Sequence, residues 1–290
     1  MTSTIPVVSI HPIEGLPEIL PGDDLPGLLA GALRRMSFSL ADGDVIVVAQ
    51  KVVSKAEGAR VALDTVEPTP ETRRWAEQWG KDPRMVELVL RETRRIVRRE
   101  RGLIISETRH GFVCANAGID LSNSGGEDLA ILLPEDSDRS AGQMRQRLAE
   151  EAGAEAPNGR EAKAPGGQQA GVGAVAGAGP RGGKTPDIAV IVSDTFGRPW
   201  RVGLTQVALG VAGLEPLLDL RESPDVDGRT LHATIIAVAD ELACAADLVC
   251  GKITRVPAAV IRGYPFERAR EEQPAGGAAL IRDPEMDLFR

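Results

Sequence analysis

Short, mostly apolar runs rich in aliphatic residues recur at residues 7–10, 44–49, 129–133, 187–192 and 258–263. Each is too short for a stable helix and is bounded by Gly, Pro or polar residues, so each predicts a strand. The runs at 44–49 and 187–192 lack polar alternation, which predicts burial on both faces. Between them the period changes. Leu25, Leu28, Leu29 and Leu33 share a helical face behind the potential caps Asp23 and Asp24. Residues 70–99 predict helix, with Met85, Leu88, Val89, Ile96 and Val97 as the apolar stripe and arginines opposite. Residues 138–151 predict a polar amphipathic helix, and 230–249 a helix capped by Thr230 with Leu231, Ile235, Val238, Leu242 and Leu248 inside. Residues 103–123 predict a hairpin turning at His110-Gly111 and ending in a polar loop. The nearly uncharged stretch Val202–Gly213 predicts burial.

Strands, helices and polar strand ends in this order suit either an α+β fold or a doubly wound α/β fold. One segment fits neither. Residues 153–183 are Gly, Ala, Pro and Gln without periodicity, a composition too poor in apolar surface to offset its chain entropy, and predict a mobile insert. The expected organisation is one domain over 1–265 containing that insert, followed by a loose charged tail at 266–290.

Composition narrows the function. Aromatic residues make up only 3% of the chain, so the core must be aliphatic. A formal charge of −8 excludes a basic stripe able to neutralise a nucleic-acid backbone. Cys114, Cys244 and Cys250 have no metal-binding or disulfide-framework spacing, which fits a reduced chain. No stretch approaches the roughly 18 to 20 apolar residues of a membrane span, and the start carries no signal-peptide pattern. A cytoplasmic protein without nucleic-acid or membrane partners is expected.

The chemistry gathers at strand ends. Ser193-Asp194-Thr195-Phe196-Gly197-Arg198-Pro199-Trp200-Arg201 follows the run 187–192 and offers a carboxylate and a hydroxyl for a hard cation, with Arg198 and Arg201 for phosphate or carboxylate. Gln50-Lys51-Val52-Val53-Ser54-Lys55 follows the run 44–49. It lacks the Walker glycines, but its lysines could meet a triphosphate as flexible charges. Asp120 is a second candidate metal ligand, and Asn116 or Asn123 could hydrogen-bond a ligand. His110 reads as a turn histidine rather than a base, since no nucleophile adjoins it. Asp240, Glu241 and Asp247 read as a solvated helix face, and Asp225–Arg229 as a turn without the spacing of a calcium loop.

Five motifs in order, namely G-L-P-E-I from Gly15, K-V-V-S-K-A-E-G from Lys51, I-S-E-T-R-H-G-F-V-C-A-N-A-G-I-D-L-S-N from Ile105, I-V-S-D-T-F-G-R-P-W-R from Ile191 and A-D-E-L-A-C-A-A-D-L-V-C-G-K from Ala239, together resemble the coenzyme F420-0:gamma-glutamyl ligases. The resemblance implies an α+β fold with mixed sheets and flanking helices, in an intertwined homodimer. It implies a GTP-dependent ligase that joins L-glutamate to coenzyme F420-0 through an acyl phosphate and then adds γ-linked glutamates. Two divalent cations, Mg²⁺ or Mn²⁺, and K⁺ are implied with it. By that similarity Asp120 and Asp194 would hold one metal and Thr195 would help hold the second. Leu16, Pro17, Glu18, Ile19, Gln50, Lys55 and Asn123 would contact GTP. Arg198 and Arg201 are candidates for the substrate's phosphate or carboxylates, on their own chemistry.

Four departures accompany the resemblance. Gln50 stands where the family has a serine, Lys252 stands where some members have a carboxylate or amide, and the 153–183 insert interrupts a usually compact segment. The chain is also too short for the nitroreductase-like domain fused to actinobacterial relatives, so no reductase activity is expected. The same residues would also serve a metal-dependent GTP phosphohydrolase or a non-catalytic nucleotide-binding module.

Overall fold

The computed structural model describes residues 7–121, 128–154, 185–270 and 275–288. In chain order the elements are β1 (Ser9–Pro12), α1 (Leu25–Arg35), β2 (Val45–Ala49), α2 (Gln50–Glu57), β3 (Arg60–Ala62), α3 (Pro70–Gln78), α4 (Pro83–Arg91), β4 (Thr93–Glu100), β5 (Leu103–Thr108), β6 (Val113–Ala115), β7 (Leu129–Ile131), α5 (Ser137–Ala154), β8 (Ala189–Arg198), β9 (Arg201–Ala212), β10 (Leu218–Asp219), β11 (Ile235–Ile236), α6 (Val238–Cys250) and β12 (Ala258–Arg262).

The principal sheet has five strands in the order β1-β12-β2-β8-β9. β2 and β8 run parallel, and the other neighbours antiparallel, so the sheet is mixed and the class is α+β. Both faces are covered. Ile46, Val48, Val190, Val192 and Val260 meet Leu29 and Leu33 of α1 and Met144 and Leu148 of α5. Val45, Val47, Ile191, Ala259 and Ile261 meet Val238, Leu242 and Ala246 of α6. That two-sided cover is why β2 and β8 read as unbroken apolar runs. Smaller sheets β4-β5-β6 and β3-β7 pack with α3 and α4 around Leu63, Val86, Val89 and Ile104.

Two carboxylates clamp β9 from opposite sides. The register slips between Val192/Gly210 and Ser193/Ala208, leaving Leu209 as a bulge. The Ala208 N–H then donates to Asp240 of α6 at 2.8 Å, and the Val211 N–H to Asp138 of α5 at 2.8 Å. Asp240 is thus a structural acceptor rather than a solvated residue, and burial pushes its carboxyl above the usual range. Asp138 also accepts the Gly277 N–H at 2.6 Å, so the stretch around Gly277, where composition predicted a loose tail, is held against the sheet.

Three local expectations change. The helical stretch 70–99 is two helices followed by the strand β4. The β4–β5 hairpin is closed by Arg101 and Gly102 with φ of 51° and 74°, the left-handed pair that a two-residue turn requires. The helix expected from Thr230 begins instead at Val238, because Ile235 and Ile236 pair with Leu218 and Asp219. Val202–Gly213 is buried only in its second half. Val202 is 99% exposed, whereas Leu209 is 2%. Of the insert at 153–183, only 153 and 154 fall within the described residues. Among the described residues no helix is long and apolar enough to cross a membrane.

Candidate active site

A cavity of about 590 Å³ opens where β2 ends, beside the middle of β8, which continues to Arg198 so that Asp194 and Thr195 lie within the strand and not beyond it as the apolar run predicted. The two strands are parallel and in register up to Ala49 and Ser193, so the start of α2 and the next residues of β8 meet at one place, as at the carboxyl ends where open sheets hold ligands. β2 passes into α2 without an intervening residue, and no side chain caps the first turn of α2, which lines the cavity. Uncapped N–H groups at a helix start favour an anion. Lys51 and Lys55 are one turn apart and both line the cavity. Gly58, at φ 74°, ends α2 in the left-handed conformation that glycine adopts without strain.

The stretch Leu16-Pro17-Glu18-Ile19 forms one wall. Ile19, 2% exposed, anchors it in the core, and the Glu18 carboxylate pairs with the Lys55 ammonium. Gln50 also lines the cavity, but its amide nitrogen donates to Ser54 Oγ at 2.6 Å and to the Leu132 carbonyl at 2.8 Å. That amide therefore ties α2 to the chain beyond β7.

Asp120 reaches the cavity through a strained turn. Asn116, Ala117 and Gly118 have consecutive φ values of 52°, 53° and 71°, a region that asparagine and glycine tolerate but that the Ala117 side chain disfavours. Packing maintains it: Ala117 is 2% exposed in the core around Leu63, Val89 and Ile104. Asp120 then exchanges two backbone hydrogen bonds with Ile131. Its carboxylate lies 2.7 Å from the Lys51 ammonium.

Asp194 sits on β8 beside the bulge at Leu209. Burial pushes its carboxyl up to about 6, with Asp120 acting in the same direction; the Thr195 N–H, Lys252 and Lys51 act against it. Thr195 Oγ1 accepts from Gln206 Nε2 at 2.9 Å, and the same amide donates to Asp247 Oδ1 at 3.0 Å.

Leu16, Pro17, Glu18, Ile19, Gln50, Lys55, Asp120, Asp194 and Thr195 therefore line one cavity. Arg198 and Arg201 do not. They lie at the exposed end of the β8–β9 hairpin, where Arg198 donates to the Val202 carbonyl at 3.2 Å. Asn123 lies outside the described residues. Gln206, Asp247, Lys252 and Arg255 line the cavity as well. Gln206 was not among the sequence candidates, and Asp247 had read as solvated; Lys252 and Arg255, between the last helix and the last strand, are where the sequence allowed a phosphate to be met. Gln206 is a lone amide in β9 and pairs across the hairpin with Thr195.

The donor set suits a hard cation. Among the described residues no group of three or more His, Cys, Asp or Glu side chains forms a metal cluster. Two carboxylates and a hydroxyl nonetheless match the way Mg²⁺ binds, through one or two carboxylates completed by substrate phosphates and water. The nearby thiols are soft donors that match such an ion poorly, and burial pushes Cys114 up to about 12 and Cys250 up to about 11.

Comparison with known proteins bears on this arrangement. The sequence model described as F420-0:Gamma-glutamyl ligase matches residues 15–157 and 184–263. The chain is 43% identical over 284 residues to the coenzyme F420:L-glutamate ligase of Methanothermobacter thermautotrophicus, covering 98% of this chain and 99% of that protein. It is 42% identical to the protein of that name from Methanopyrus kandleri, covering 99% of each chain. The Methanocaldococcus jannaschii protein of the same name is 34% identical over 87% of each chain.

Proposed function

We propose that this chain, which belongs to the F420-0:gamma-glutamyl ligase family, joins the amine of L-glutamate to the terminal carboxylate of coenzyme F420-0 in coenzyme F420 biosynthesis, using GTP. The observation that carries the reading is a single cavity in which lysines and an uncapped helix start face a pair of carboxylates.

A carboxylate is a poor acyl donor and must be activated. Its oxygen attacks the γ-phosphorus of GTP, the bond to the β-phosphate oxygen breaks, and GDP leaves. The glutamate amine then attacks the acyl carbon, phosphate departs, and the nitrogen loses its proton. Such phosphoryl transfer is catalysed mainly by positioning and charge neutralisation. The first turn of α2 and Lys55 receive the phosphates, with Leu16 to Ile19 and Gln50 as the nucleotide wall. Asp120 and Asp194 hold one divalent cation, Mg²⁺ or Mn²⁺, and Thr195 helps hold a second. When bound, these ions neutralise phosphoryl charge as Lewis acids. K⁺ belongs to the same reading. Gln206 orients Thr195, and the partial burial of Asp194 limits the hydration of that carboxylate.

The product would accept further γ-linked glutamates, since each addition regenerates a terminal carboxylate. Arg198 and Arg201, on the exposed hairpin, would meet the acidic substrates outside the cavity. The exposed Trp200, Val202 and Leu204 on the same hairpin support a homodimer in which a second copy covers them.

Mass spectrometry of coenzyme F420-0 incubated with the chain, GTP, Mn²⁺ and L-glutamate tests the reading, beside a reaction without glutamate. Glutamate-dependent mass additions are expected, and their number gives the tail length. Equal GTP consumption in both reactions without added mass would replace the ligase with a phosphohydrolase.

A further inference from the structure

The α2 lysines are not equivalent. Lys55 pairs with Glu18, a residue of the nucleotide wall. Lys51 pairs with Asp120, one of the two carboxylates assigned to a divalent cation, at 2.7 Å, and it also acts on Asp194. A carboxylate that holds an ammonium on one oxygen cannot take a divalent cation without bringing two positive centres within a few ångströms of each other. Their repulsion in a recessed site is larger than in open water. Lysine can relieve it, because its charge sits on a flexible four-carbon stem, and Lys51 lies in the uncapped first turn of α2 where phosphate is expected.

We infer that Lys51 is an exchangeable cation: it competes with the divalent ion for Asp120, and on losing that competition it moves to the phosphates. The inference rests on the reading of Asp120 and Asp194 as metal holders. It has a thermodynamic consequence. Metal released onto Asp120 frees a phosphate ligand, and phosphate drawing Lys51 away frees a metal ligand, so the two must strengthen each other's binding by the same factor. Lys51 thereby favours loading of metal and nucleotide together over metal alone.

Calorimetric titration of Mn²⁺ into the full-length chain, with and without GTP, tests this independently of turnover. Lys51→Met is expected to bind Mn²⁺ at least about tenfold more tightly than the wild type in the absence of GTP. The factor by which GTP improves Mn²⁺ affinity should shrink in the same variant. Lys51→Arg, which keeps the charge, should bind Mn²⁺ no more tightly than the wild type. Thermal unfolding confirms that each variant is folded. Unchanged or weaker Mn²⁺ binding by Lys51→Met, with Asp194→Asn having lost it, overturns the inference and leaves the metal reading standing. Wild-type Mn²⁺ affinity in Asp194→Asn, or no Mn²⁺ binding by either the wild type or Lys51→Met, overturns the metal reading and the inference together.

Discussion

The β8–β9 hairpin has a root and a tip built from similar apolar residues, and they have opposite surroundings. At the root, Ile191, Val192, Leu209 and Val211 are at most 4% exposed, between α5 and α6. At the tip, Leu204 is 63% exposed although it pairs with Gly197 on the same ladder, and Trp200, in the turn, is 85% exposed. Hydrogen bonding along the ladder therefore says nothing about burial. What distinguishes the halves is which helices reach them. Asp194 and Thr195 lie at the boundary, where one side supplies a rigid, desolvating floor and the other opens to solvent.

The largest effect is expected at that boundary. Asp194→Asn keeps the shape of the side chain but removes the charge assigned to the cation, and should lower glutamate ligation at least about a hundredfold. Near-normal turnover of a folded Asp194→Asn protein would remove this residue from the site.

Next comes a paired glycine test of root against tip. A Cβ at Gly210 would lie 2.1 Å from the backbone oxygen of Ser137, which α5 cannot easily move. Gly210→Ala should cost about 3 kcal/mol, lowering the melting temperature by about 6 to 12 °C. A Cβ at Gly197, near the tip, meets only Leu204 Cδ2 at 4.0 Å, and its alanine variant should stay within about 0.5 kcal/mol of the wild type. Equal losses in both variants would erase the proposed contrast.

A smaller effect tests what covers the tip. If a second copy packs on Val202 and Leu204, the double change Val202→Ser/Leu204→Ser removes two apolar contacts and should weaken self-association at least about tenfold. Unfolding of the isolated chain should hardly change. Light scattering across a dilution series reads the association, and an unaltered dimer would place the interface elsewhere.

This contrast also marks how far the sequence could be read. β2 and β8 were legible because cover on both faces imposes unbroken β-branched runs. The grouping of Asp120, Asp194 and Lys55 in one cavity was legible through motif order, although Asp194 lies within β8. β4 was not, because its four arginines and Ile96-Val97 satisfy a helical stripe as readily as a strand, and the reversal depends on Arg101 adopting a positive φ. The run Val202–Gly213 concealed its exposed half for the reason given above: the cover comes from α5 and α6, distant in sequence. Gln206 and Asp247 were hidden by the same remoteness, since an amide on β9 and a carboxylate late in α6 become neighbours only once α6 packs on the sheet.

The last test concerns the floor beneath Asp194. Burial by the root, seconded by Asp120, raises this carboxyl to about 6, so its proton is held more tightly than in an ordinary aspartate. A divalent cation needs the deprotonated form, and binding must therefore expel that proton when the pH is below about 6. Mn²⁺ affinity should be nearly flat from pH 7 to 8 and fall by up to about tenfold per unit below pH 6 through this group. The Val202→Ser/Leu204→Ser protein should show the same profile, because the tip does not desolvate Asp194. A profile that follows the tip variant would mean that a second copy completes the floor, and root and tip would then form one site rather than two environments.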